Sequence, residues 1–149
     1  MRSLLRHVSV VFAAGALGGL ANGLVVWAFG QWGIPQALGV KIAPDWSWPW
    51  LYPRVVWGGL WGLLFLLPVL RNRHLLAGLL YSLGPSAGML LVVFPYQLDK
   101  GILGLDVGAA TPAFVLLYNA VWGLVAGAWL LAVRRHAAGT RGNTKRTEP

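Results

Sequence analysis

Side chains able to do acid–base, nucleophilic or metal chemistry are few in this sequence, and they are kept apart. Three histidines, His7, His74 and His136, and four acids, Asp45, Asp99, Asp106 and Glu148, are spread over 149 residues, and there is no cysteine. The missing thiol removes disulfides, thiolate nucleophiles and thiolate-held zinc or iron–sulfur clusters. Each histidine has an arginine close by in sequence, whereas Asp45, Asp99 and Asp106 fall in segments without a histidine. No Ser-His-Asp set, HExxH helix or phosphate-cradling glycine loop can be assembled from such a distribution. Two aspartates sharing a cation would be the remaining chemistry. Asp99 adjoins Lys100, however, Asp106 lies in a glycine-rich stretch and Asp45 follows Pro44. The expectation is a protein that is not an enzyme and holds no metal and no cofactor.

A second group of polar residues is embedded in apolar sequence: Asn22, Tyr81, Ser82, Ser86, Tyr118 and Asn119. Buried amides and hydroxyls need hydrogen-bond partners. Pro85 leaves the carbonyl four residues earlier, that of Tyr81, without its usual helical donor. These six side chains are therefore expected to form one polar intramembrane seam. Asn22 lies eight residues before Gly30 and Asn119 eight after Thr111. Both amides then sit about 12 Å below the same end of their helices by helical rise, and they meet if those helices pack together.

The elements that must position these groups follow from composition. Hydrophobic residues make up 57% of the chain and charged residues 11%, less than half the roughly 25% charged residues of a soluble domain. Apolar runs at about 8–29, 55–70, 75–96 and 111–133 approach or reach the length of a membrane-spanning helix. The fold class expected is all-α, a polytopic membrane protein built as a four-transmembrane-helix bundle over residues 1–133. The remainder, 134–149, loses apolar periodicity and reads as a basic, disordered tail.

Orientation follows from charge. Arg2 and Arg6 precede the first span, Arg71 and Arg73 separate the second and third, and Arg134, Arg135, Arg141, Lys145 and Arg146 follow the fourth. The positive-inside rule puts all nine, and both termini, in the cytoplasm of a bacterial-style inner membrane. Their excess charge suits anionic lipid better than nucleic acid. On the opposite side, the loop 31–53 is rich in proline and carries Trp46, Trp48, Trp50 and Tyr52 at every second position. In an extended chain that spacing aims four rings one way. The resulting stripe reads as an interfacial anchor, or as a platform for a lipid, sugar or partner protein.

Each predicted span also carries glycines four residues apart: Gly15, Gly19 and Gly23; Gly58 and Gly62; Gly84 and Gly88; Gly123 and Gly127. Helices in lipid associate through such GxxxG faces and through interhelical hydrogen bonds. The function expected is a small accessory, assembly or scaffold subunit. Its partners would be membrane lipids and either further copies of itself or another membrane protein. The alternative is a passive channel or transporter component for a small neutral solute or anion, lined by the polar seam.

Overall fold

The computed structural model describes the backbone of residues 2–70 and 72–144 and the side chains of 4–70 and 72–136. All regular structure among these residues is helical. Helix α1 spans Arg2–Gln31, α2 Ile34–Ala37 and α3 Trp48–Gly62, the last tightening into a 3-10 turn at Leu63–Leu66. Helices α4, His74–Tyr81, and α5, Leu83–Gly88, lead into a π-helix at Met89–Gln97. A second 3-10 turn, Ile102–Gly104, precedes α6, Thr111–Thr144. Three stretches, Leu4–Gln31, His74–Gln97 and Thr111–His136, are long and apolar enough to cross a membrane.

The second expected span differs at both ends. Its helix begins at Trp48 instead of Val55, because Pro49 falls in the first turn, where a missing amide breaks no helical hydrogen bond. It stops at Leu66, because the residue before Pro68 is forced out of the helical region, and Leu67 is extended at φ −67°, ψ 141°. The helical start also corrects the aromatic stripe. Only Trp46 and Ser47 precede the helix; Trp48 and Tyr52 share an exposed face, and Trp50, about 200° from each by helical geometry, turns inward and is half-buried. The four rings therefore do not point one way.

Helix α1 lies between α3 and α6, and α4 packs on α6. All three pairs are antiparallel. Along α1 and α3, Gly15 faces Gly62, Gly19 faces Gly58 and Gly23 faces Leu51. A methyl group placed on Gly15 would lie 2.7 Å from the Gly62 Cα, and one on Gly58 would lie 2.8 Å from the Gly19 Cα. Gly123 and Gly127 of α6 meet the backbones of Gly78 and His74 in the same manner. Gly84 and Gly88 form no such seam: they lie 3.1 and 3.5 Å, measured from an added methyl, from ring atoms of Trp61. One end of the bundle thus collects the start of α1, the end of α3, the start of α4 and the far half of α6, with Arg6, Arg73, Arg134 and Arg135.

Four small apolar clusters are distributed along the bundle. Val11, Ala14, Ala126 and Leu130 close the basic end, whereas Val26, Val40, Phe114 and Tyr118 close the other. There the two long loops are joined by the Lys41 amide, which donates to the Val107 carbonyl at 2.9 Å, with Val40 fully buried beneath Gly108. The third stretch breaks at Ser82, three residues before Pro85, and then winds as a π-helix whose Leu90 and Phe94 close on Val115. Helix α6 continues past Val133 through Thr144, where a disordered tail was expected. Arg134, Arg135, Ala137 and Ala138 are good helix formers, and an established helix propagates through them at little cost. Residues 145–149 lie outside the described residues.

Candidate functional site

Three helices converge on two amides. The Asn22 Nδ2 of α1 donates to the Asn119 Oδ1 of α6 at 3.3 Å. The Asn119 Nδ2 donates to the Ser86 hydroxyl of α5 at 3.1 Å, and that hydroxyl donates to the Ser82 carbonyl at 2.7 Å. The antiparallel register supplies the geometry, since Gly18 lies against Trp122 one turn from both asparagines. Ser86 is buried, but both asparagines are only half-buried. The Asn22 Oδ1 takes no donor from the described residues. The chain of bonds consequently has an open end.

The other three residues of the expected seam are elsewhere. The Tyr81 hydroxyl reaches the opposite way and donates toward the carbonyls of Val69 at 3.1 Å and Leu67 at 3.4 Å, fastening the turn between α3 and α4. The Ser82 hydroxyl is consumed locally by the Leu79 carbonyl at 2.7 Å, so Ser82 joins the chain of bonds only through its backbone. Tyr118 is one residue, about 100° of helical rotation, from Asn119 and so faces another direction. Its ring packs against Phe29 and Phe114, and its buried hydroxyl has no hydrogen-bond partner among the described residues.

Sequence reasoning passed over Trp122. Its indole Nε1, buried at the junction of three helices, donates to the Gly15 carbonyl at 3.0 Å and to the Gly58 carbonyl at 3.3 Å. One side chain of α6 thereby ties α1 to α3. The available signal was a tryptophan in mid-span with glycines around it, since a buried indole N–H needs an acceptor and only glycine lets backbone carbonyls come so close. His74 is placed at the start of α4. It is half-buried, and its Nε2 is shielded without a partner among the described residues.

The larger correction concerns Arg54. It directly precedes the expected span at 55–70. With α3 starting at Trp48, Arg54 falls inside the helix, its carbonyl against Gly19 and its Cδ 3.5 Å from where a Gly23 methyl would be. Gly23 is eight residues from Gln31, about 12 Å of helical rise. The Arg54 Nη1 donates to the Trp50 carbonyl at 2.9 Å, and the guanidinium lies 4.0 Å over the Trp50 ring. No carboxylate among the described residues neighbours it. No group of three or more His, Asp or Glu able to hold a metal occurs among the described residues either. No family model, curated protein or solved structure matches the chain.

Proposed function

We propose that this chain is a non-catalytic inner-membrane protein of four spans, with both termini cytoplasmic, that works as a passive channel or transporter component for a small neutral solute or anion. The observation that carries the proposal is the hydrogen-bonded chain Asn22–Asn119–Ser86, which joins three helices through two half-buried asparagines and leaves the Asn22 Oδ1 without a donor among the described residues. In an apolar medium an accessible amide is costly unless water or a solute meets it. Four helices enclose little pore on their own, so a homo-oligomer or a second membrane protein is expected to complete the path.

Support for the fourth span comes from register. Helix α3 runs alongside α1 from Gly23 opposite Leu51 to Val11 opposite Gly62, about 18 Å by helical rise, beside a helix long enough to cross. Support for the orientation comes from the arginines gathered at one end of the bundle.

The accessory-subunit reading loses its first argument, because the glycine faces of α1, α3 and α6 are turned against helices of the same chain. It keeps a different one: α6 runs as a helix past Val133 through Thr144, beyond the length a membrane requires, and offers a basic rod to a partner.

Flux of chloride and of glycerol into proteoliposomes separates the two readings. Flux that is lost in Asn119→Leu, with helicity retained, supports a solute path. An absence of flux for both probes, with a stoichiometric second protein recovered in gentle detergent, overturns it in favour of the accessory subunit.

A further inference from the structure

Arg54 is a strongly basic side chain packed against α1 with no carboxylate beside it among the described residues. On a helix the Cα–Cβ bonds tilt toward the N-terminus, and the N-terminus of α3 is the end away from the clustered arginines. The side chain follows that tilt: its backbone is level with Gly19, its Cδ is level with Gly23, and its Nη1 has reached the Trp50 carbonyl one turn above. This is the posture of an arginine stretching from hydrocarbon toward the headgroup layer. Of its five N–H donors, one has a protein acceptor among the described residues. The ring of Trp50 covers one face of the guanidinium, so the charge is oriented as well as held. Around it the aromatic side chains form a graded edge. Trp50 is half-buried at 6.4 Å from Trp46, which also touches Trp27 and Trp48, while Trp48 and Tyr52 are the most exposed.

We propose that Arg54 and Trp50 form a binding site for the phosphodiester of a phospholipid in the leaflet opposite the arginine-rich end. The phosphate would accept from guanidinium N–H groups that the Trp50 carbonyl leaves unbonded, at the end of α3 where the Trp46, Trp48 and Trp50 rings gather. A planar guanidinium donates to phosphate through two parallel bonds, which an ammonium cannot reproduce. A phosphate also supplies the counter-charge that the described residues do not. The proposal rests on the four-span reading, because it needs α3 within the bilayer.

The test uses the full chain purified in a neutral detergent and titrated with phosphatidylglycerol, with bound lipid counted by native mass spectrometry. Diacylglycerol of the same acyl chains and inorganic phosphate serve as separate probes. The expected result is one tightly held phosphatidylglycerol whose apparent affinity falls about tenfold or more in Arg54→Gln, the size of a lost charge-assisted hydrogen bond. Arg54→Lys should recover only part of the loss, and Trp50→Leu should weaken binding while leaving the charge in place. Arg134→Gln, at the other end of the bundle, should leave that lipid bound. Equal lipid retention in a folded Arg54→Gln protein overturns the site. So does diacylglycerol binding as well as phosphatidylglycerol, and displacement of the lipid by inorganic phosphate reassigns the site to a soluble anion. Lipid mass reports the site independently of topology, which cysteine labelling reads separately.

Discussion

The side-chain amide of Asn22 donates to the side-chain oxygen of Asn119 across 97 positions of sequence. Interhelical bonds of this kind contribute about 0.6 to 2 kcal/mol in membrane bundles. Because Asn119 also donates to Ser86, the two asparagines are unequal. Asn22→Leu should cost one bond and Asn119→Leu two, with the larger loss in the second. The double variant should be less destabilised than the sum, with a coupling of about 0.5 kcal/mol or more. Unfolding of all three variants in detergent measures this, and strictly additive losses would count against the direct contact.

Trp122 makes a sharper case, since its indole N–H is shared by two carbonyls on different helices. Trp122→Phe keeps an aromatic ring in place and removes the donor. Both carbonyls belong to helices and have backbone partners of their own, so the expected loss is modest, about 1 kcal/mol. It should loosen α1 from α3 as well as from α6, which hydrogen exchange along Gly58–Gly62 would detect. Unchanged exchange there would sink the idea that one indole ties three helices.

The glycines divide into two classes with opposite expectations. Gly78 and Gly123 oppose each other backbone to backbone, so a methyl group on either must push α4 off α6. Gly78→Ala and Gly123→Ala are each expected to cost about 1 to 3 kcal/mol through overpacking. At Gly88 the nearest atom to a new methyl is a Trp61 ring carbon at 3.5 Å, an ordinary contact. Gly88→Ala should therefore be neutral, or slightly stabilising through helix propensity. Thermal unfolding of the three single variants settles the contrast; equal losses at Gly88 and Gly78 would contradict it.

What could be read from the sequence, and what could not, follows from how far each signal reaches. The depth of Asn22 and Asn119 was legible, because counting residues from a helix end fixes height in an antiparallel pair. Which face a side chain takes was less so. Tyr118 adjoins Asn119 but is rotated by a full helical step onto the Phe29 and Phe114 rings. Spacing alone marked Gly84 and Gly88 as a packing face and missed Gly78, since a four-residue period does not say which neighbour the face meets. Proline misled at Trp48–Tyr52, because the same residue that favours an extended chain is well suited to the first turn of a helix. That boundary error moved Arg54 out of α3, where the structure places it against Gly19 and Gly23 of α1.

Topology is the prediction on which the others depend. If α3 crosses the bilayer, Ser47 just before it and Asn72 just after its final turn lie on opposite sides, and the even number of spans returns both ends of the chain to one compartment. If α3 lies along the surface instead, the three helices that are long and apolar enough to cross place the two ends on opposite sides. The chain has no cysteine, so Ser47→Cys and Asn72→Cys each introduce a single reporter. In intact spheroplasts an impermeant maleimide should label Ser47→Cys and spare Asn72→Cys until the membrane is opened. Labelling of both from outside would remove α3 from the membrane, and Arg54 would then be an ordinary surface residue with no need of a phosphate. The expected pattern instead keeps that charge at the depth of Gly19 and Gly23, where its tilt toward Trp50 has a physical cause.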